Sequence, residues 1–254
     1  MPGPRTPVAA GAVTRMTRRA LFLQHFNDDA AGRIGELLAA MDVRGETVAL
    51  HRGEAIPALA PYDLMVVLGG TQQVWQEAEF PWLQDEKRAI REWVCERARP
   101  YIGICFGHQL LAAALGGAVG LADQAEIGVR TVDIDAAESH PFVAGLGGRR
   151  QVMQWHSAEV KRLPAEATML ASSATTPVEA MAVDGHALGV QFHCEWTLGQ
   201  VQQWGTLPAW TRALDEAFGA GGHARFLAAC TPAMAQVQAM TDRLFDNFRR
   251  ASKL

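Results

Sequence analysis

From residue 20 onward, short and almost unbroken apolar runs alternate with stretches of helical period. Ala20-Leu21-Phe22-Leu23-Gln24-His25-Phe26, Glu46 to Leu50, Asp63-Leu64-Met65-Val66-Val67-Leu68-Gly69-Gly70 and Tyr101-Ile102-Gly103-Ile104 are runs of the first kind. Their length and punctuation read as strands covered on both faces. Between them, Ala31, Ile34, Leu37, Leu38 and Met41 keep one helical stripe, with Asp28 and Asp29 placed to cap it. Leu83, Ile90, Trp93 and Val94 mark one side of a helix from Leu83 to Ala98, and His108 to Leu115 carries a third pattern that closes at Gly116-Gly117. Strands alternating with helices predict an α/β fold: an open, mostly parallel sheet flanked by helices. In such sheets a site lies at the carboxyl ends of the strands.

The second half has a different texture. Ile127 to Ile134, Arg149 to Trp155, Val178 to Val183 and Ala187 to His193 read as strands. Asp184-Gly185 between the last two is a hairpin signal. An antiparallel extension or flap around the parallel core is therefore expected. Pro208 to Gly219 reads as helical, Gly219 to Gly222 as a flexible break, and Met234 to Arg249 as a final helix with Val237, Met240, Leu244, Phe245 and Phe248 on its apolar side. No repeat or linker divides the chain. Residues 1–17, rich in Pro, Ala and Gly, read as a disordered extension, and residues 18–254 as one domain. An acid-free, Arg-bearing start also fits a transit peptide.

Composition narrows the classes. With 49% hydrophobic residues in 254, a sizeable core is available. A net charge of −4 gives no support to nucleic-acid or polybasic membrane binding. No apolar run approaches the roughly 18 residues of a membrane span. The four cysteines, Cys95, Cys105, Cys194 and Cys230, show no C-x-x-C spacing, so neither a metal site nor a disulfide framework is indicated. A reducing cytoplasm is the plain reading. The terminal Ser252-Lys253-Leu254 would be an import address only in a cell with peroxisomes.

Three short segments carry candidate chemistry. Gly103 and Gly107 flank Cys105 at i−2 and i+2, the pattern of a strained strand-to-helix turn that exposes a nucleophile. A thiol at a helix N-terminus is favoured as thiolate. Gly189-Val190-Gln191-Phe192-His193-Cys194-Glu195 alternates, so His193 and Glu195 project together from one strand. A carboxylate beside an imidazole can orient a base for a Cys nucleophile. A solvated strand face is the bland alternative. The third segment, Leu68-Gly69-Gly70-Thr71, can supply a backbone donor at Gly70 to an oxyanion, with the Phe106 N–H as the other. It is too short for a phosphate-cradling loop.

Together these segments resemble the class I glutamine amidotransferase family, with the GMP synthase glutaminase domain the nearest likeness. Met153-Gln154-Trp155-His156-Ser157 is similar to the family's substrate-contacting strand and turn, and Leu244-Phe245-Asp246-Asn247-Phe248 to its terminal helix. The likeness runs from about Arg19 to Phe248. It implies a flavodoxin-like sheet, Cys105 as nucleophile, His193 as base and Glu195 as its orienting partner. It also implies that Gln109 and the backbone near Gly69, Gly70, His156 and Ser157 hold the glutamyl group. Thr71 and Cys194 stand where the family usually has proline, which bears on loop geometry. The implied reaction is cleavage of a γ-glutamyl amide through a thioester, with no metal or cofactor. Ammonia would pass to a separate synthase. A free-standing γ-glutamyl hydrolase or peptidase is the alternative, and a non-catalytic binding relative a third. Trp75, Trp82 and Trp155 read as packing or rim residues. The loop from Gly69 to Trp82, with Val74, Trp75 and Phe80, is the place a partner could cover.

Overall fold

The computed structural model describes residues 17–27, 30–136 and 139–254. The expected extension up to Met16 and the expected capping pair Asp28 and Asp29 lie outside the described residues. Among the described residues, nine strands form two sheets. In chain order the elements are β1 (Arg19–Gln24), α1 (Gly32–Ala39), β2 (Arg44–Ala49), β3 (Leu64–Val67), α2 (Trp82–Arg91), β4 (Tyr101–Ile104) and α3 (Phe106–Ala114). There follow β5 (Ala118–Ile134), β6 (Gly148–Arg162), β7 (Ala167–Ala171), β8 (Ala180–Val183), β9 (Ala187–Val190), α4 (Leu198–Gln203), α5 (Pro208–Phe218) and α6 (Gly222–Ala251).

The main sheet has the order β2-β1-β3-β4-β9-β8-β7. Its first five strands are parallel neighbours, and β8 and β7 continue it antiparallel. The expected parallel core with an antiparallel extension is what forms. Its continuous apolar runs are explained by burial on both faces. Along β1, Leu21 and Leu23 join the core beneath α2 and α3, with Leu83, Ile90, Trp93, Leu110 and Leu111. Ala20 and Phe22 point the other way, to Ile34 and Leu38 of α1 and to Leu244, Phe245 and Phe248 of α6. A period of two thus serves two cores at once.

Several expectations change in extent. The two readings at 127–134 and 149–155 are the middle of a long hairpin, β5 paired with β6, that forms its own two-stranded sheet. The stretch of β5 before Ile127 mixes small, apolar and polar residues, most of them exposed or half-exposed, so hydrophobic alternation there is weak. β7 has no counterpart among the expected strands; it is a five-residue edge strand, Ala-Thr-Met-Leu-Ala, with Thr168 and Met169 exposed. The helix after Trp82 becomes π-helical at Glu92–Glu96. α6 begins at Gly222 rather than Met234 and runs through Pro232. A proline normally stops a helix; here Phe226 and Cys230, both fully buried, hold the turns before it in a third core with Trp196, Trp204 and Leu214. Among the described residues no helix is long and apolar enough to cross a membrane.

Phe248 is 0% exposed where α6 meets the sheet. Phe248→Ala is expected to lower unfolding stability by about 3–5 kcal/mol in urea denaturation, through lost transfer energy and the cavity left behind. Leu121→Ala, at a side chain 61% exposed, is expected to change it by less than about 0.5 kcal/mol.

Candidate active site

β3, β4 and β9 are side by side, so the segments leaving their carboxyl ends converge. Cys105 follows β4 directly and caps α3 with φ 52° and ψ −100°. That conformation is held by backbone bonds on both sides: Cys105 N donates to Val190 O at 2.8 Å and Gly107 N to Leu68 O at 3.2 Å. The Tyr101 hydroxyl donates to Gly107 O at 2.8 Å. The two flanking glycines are sterically required. A Cβ at Gly103 would lie 2.6 Å from the Gly107 carbonyl, and one at Gly107 would lie 2.2 Å from Val67 O. The strained turn expected from the motif is present, with α3 pointing its N-terminus at the sulfur.

His193 and Glu195 meet, but not as expected. β9 ends at Val190, and residues 191–195 leave the sheet in irregular backbone. The pleat therefore does not bring the pair together. The segment is instead tied from three sides: His193 N donates to Met153 O at 2.8 Å, Arg33 N to Glu195 O at 2.7 Å, and the Thr241 hydroxyl to Cys194 O at 2.9 Å. Nor is this a solvated face, since His193 is 7% and Glu195 1% exposed. His193 Nδ1 donates to Glu195 Oε1 at 2.6 Å, and the ring stacks on Trp196 with centroids 4.0 Å apart. Burial alone would lower the His193 pKa. The negative charge of Glu195 and that of the Cys105 sulfur outweigh it and hold the imidazole well above its ordinary value. Gln191 Nε2 lies 3.6 Å from Cys105 Sγ as a donor, and Sγ lies 3.7 Å from Trp155 O.

Gly69 and Gly70 sit against the same centre. Gly69 O accepts from His25 Nδ1 at 2.6 Å, and His25 Nε2 is 2.9 Å from Glu86 Oε1, with both side chains fully buried. In a trans peptide the N–H points opposite to the C=O, so anchoring the Gly69 carbonyl on His25 turns the Gly70 N–H away from it. A Cβ at Gly70 would collide with the Phe106 ring at 2.6 Å. Of the apolar side chains on the following loop, Val74 is buried, Phe80 and Trp82 are half-buried, and Trp75 is 47% exposed.

Two cavities meet at Cys105, Gly70, Thr71 and Trp155. The smaller, of about 300 Å³, has a polar lining that includes Gln72, Gln73, Gln109, His156 and Ser157. The expected Gln109, His156 and Ser157 are thus brought to the sulfur, whereas Gly69 spends its carbonyl on His25. Gln109 Nε2 donates to Ala158 O at 2.8 Å and to Gln191 Oε1 at 3.1 Å. His156 Nε2 is 3.5 Å from Glu126 Oε2, and that imidazole, first among several partners, pulls the Glu126 pKa down to about 2. The larger cavity, of about 510 Å³, includes His193 and is walled by Trp155, Trp196, Trp204 and Trp210. Trp155 therefore lines both cavities. The motif reading missed this wall and the His25–Glu86 pair. The only available hint was density, since four of the chain's seven tryptophans fall between 155 and 210. Among the described residues no group of three His, Cys, Asp or Glu side chains could hold a metal ion.

The sequence profile of the family "Glutamine amidotransferase class-I" matches residues 32–203. The chain belongs to that family. The glutamine-hydrolyzing GMP synthase of Aeropyrum pernix is 36% identical over 165 residues, which cover 65% of this chain but only 30% of that protein. The glutamine amidotransferase-like protein YfeJ of Salmonella typhimurium is 33% identical over 192 residues, covering 72% of this chain and 78% of that one. One subunit of the glutamine-hydrolyzing GMP synthase of Sulfolobus acidocaldarius is 34% identical over 151 residues, 59% and 76% of the two chains. Among solved structures, a glutamine amidotransferase from Thermotoga maritima superposes with a TM-score of 0.82 at 24% identity, covering 94% of this chain and all of that one. That likeness concerns the fold.

One buried carboxyl group of this class I amidotransferase, on the segment before β8, has a strongly shifted pKa. Glu179 is 0% exposed and accepts from Gln154 Nε2 at 2.8 Å. Burial raises its pKa from 4.5 to about 7, and its hydrogen bonds with Gln154 and Ser173 only partly offset that. A raised folded-state value means that its contribution to stability is fully present below the unfolded pKa and is lost as pH rises through about 7. Glu179→Gln is therefore expected to flatten the fall in stability between pH 4.5 and 8. At pH 8 it should gain up to about 3 kcal/mol relative to its own difference from wild type at pH 4.5. Urea unfolding at the two pH values measures this, and parallel losses in both proteins would refute it.

Proposed function

We propose that this chain hydrolyses γ-glutamyl amides through a thioester on Cys105. The observation that carries the reading is the placing of a Cys105 sulfur, at a strained helix N-terminus, beside a buried His193–Glu195 pair joined at 2.6 Å. The Cys105 thiolate attacks the γ-carbonyl carbon, and the carbonyl oxygen becomes an oxyanion held by the Gly70 and Phe106 N–H groups. The C–N bond then breaks as His193, charged and steadied by Glu195, gives its proton to the departing nitrogen. Ammonia or an amine leaves. Water next attacks the thioester while His193 takes its proton. The second oxyanion collapses, the thiolate departs and glutamate is released. These steps use no metal ion or organic cofactor. The polar cavity lined by Gln109, His156 and Ser157 suits the glutamyl half. The need for a free Cys105 thiol supports a reducing cytoplasm.

The relatives that are single subunits of glutamine-hydrolyzing GMP synthases support delivery of ammonia to a separate synthase. One observation favours the second reading, a free-standing γ-glutamyl hydrolase: the large cavity on the His193 side is more than ammonia needs.

Cys105→Ala is expected to abolish turnover of every γ-glutamyl amide while the fold survives. An electrophilic glutamine analogue should add one label, on Cys105, in intact-mass and peptide mapping. Equal labelling of Cys95 or Cys194 would sink the assignment.

His193→Asn is expected to lower kcat by about 10²–10⁴, since both proton transfers pass through the ring. Glu195→Gln should cost less, because orientation survives in part. A Glu195 variant slower than the His193 variant in the same assay would reverse the roles.

A further inference from the structure

The two cavities at Cys105 are not equivalent, and His193 decides which half of a substrate enters each. The departing nitrogen must lie within reach of the imidazole that protonates it. His193 lines the larger cavity, whereas the smaller one is lined from Gln72, Gln73, Gln109, His156 and Ser157. The acyl half therefore lies toward the polar cavity and the amine half toward the aromatic one.

The wall of the larger cavity is built and rigid. Trp204 and Trp210 stack with centroids 4.4 Å apart and planes 4° from parallel, and Trp155 stands edge-on to Trp210 at 5.2 Å. Trp196 is fixed on the His193 ring. Thr197 and Gln200 close a reciprocal capping box at the start of α4, which anchors the segment carrying Trp204. Among the described residues, no Lys, Arg, Asp or Glu lines this cavity. Trp204, Leu207 and Trp210 lie past residue 203, where the match to the family profile ends. Ammonia has no apolar surface to bury, and a wall of indoles does nothing for it. A volume of about 510 Å³ lies within the range of small-molecule sites.

We propose that this cavity is a leaving-group subsite for the amine half of a γ-glutamyl arylalkylamide, an uncharged aromatic group joined through the scissile nitrogen. The proposal rests on the Cys105–His193 reading above. It makes the chain a hydrolase that frees arylalkylamines, with glutamine a poor substrate.

The test compares γ-glutamyl-2-phenylethylamide with L-glutamine, γ-glutamyl-methylamide, γ-glutamylglycine and γ-glutamyl-1,4-diaminobutane. The four substituted amides have alkylamine leaving groups, so their differences report on the cavity more than on intrinsic reactivity. The phenylethylamide is expected to exceed the methylamide in kcat/KM by about 10- to 100-fold, the range for burying one phenyl ring. The carboxylate and ammonium comparators should show no such gain. Trp210→Ala and Ala213→Trp, one emptying and one filling the cavity from α5, should each lower the phenylethyl-to-methyl ratio about tenfold.

Binding is read separately, by tryptophan fluorescence of Cys105→Ala protein titrated with the phenylethylamide and with glutamine. Tight binding of the phenylethylamide without turnover by the wild type would uphold the subsite and overturn the hydrolase reading. Turnover of glutamine or the methylamide with no preference for the aromatic amide would do the reverse. A preference for the charged comparators, or the absence of any selective binding, would overturn the subsite.

Discussion

The candidate site depends on a contact between backbones. α3 leaves β4 so abruptly that residue 103 faces the Gly107 carbonyl and residue 107 faces the carbonyl of Val67 on the next strand, and neither position has room for a side-chain carbon. With hydrogen alone at both places, the helix can start on the strand end and the residue between them is forced to φ 52°. Four hydrogen bonds over-determine this turn: those of Cys105 N, Gly107 N, Gln109 N and the Tyr101 hydroxyl. Strain of this kind persists only where its surroundings leave no alternative. The position of Cys105 is thus a consequence of close packing between β3, β4 and α3, and the thiol needs no further support of its own.

Around that turn the chain buries polar groups in pairs. His193 with Glu195, His25 with Glu86, His156 with Glu126 and Gln154 with Glu179 each place a donor against an acceptor out of water. Each pair costs desolvation and contributes little to stability by itself. What a buried pair provides is direction. An imidazole with one nitrogen committed to a carboxylate presents the other at a fixed angle. The His25 ring shows the same logic applied to backbone: committed to Glu86 at one nitrogen, it pins the Gly69 carbonyl with the other. An oxyanion donor proposed at Gly70 therefore has its orientation decided by a side chain 44 residues before Gly69 in the chain.

The fold builds the two sides of the site from different layers. The parallel strands supply the sulfur, the glycine pair and the imidazole segment. The long β5–β6 hairpin supplies Trp155, His156 and Ser157, which close the polar side. The aromatic side comes from α4, α5 and the turn between them, which rest on α6 through the core of Trp196, Trp204, Leu214 and Phe226. That arrangement allows the wall to change without disturbing the strand ends, because the two belong to different packed layers.

The sequence by itself determined the elements whose signals are local. Doubly buried strands announce themselves as unbroken apolar runs, the nucleophile turn as Gly-x-Cys-x-Gly, and the β8–β9 hairpin as Asp-Gly. The family likeness rested on the same short segments. Tertiary structure decided whatever depends on distance between segments. Because β9 stops at Val190, no strand pleat joins His193 to Glu195; bonds from Arg33, Met153 and Thr241, on three other elements, bring them together. His25 meets Glu86 across 61 residues. The tryptophans of the larger cavity come from the hairpin and from the segments around α4 and α5. Hydrophobic period reports whether a residue is buried in its own element, and it is silent on which other elements lie opposite. Only strand order and helix packing settle that, and the cavities beside Cys105 are made of nothing else.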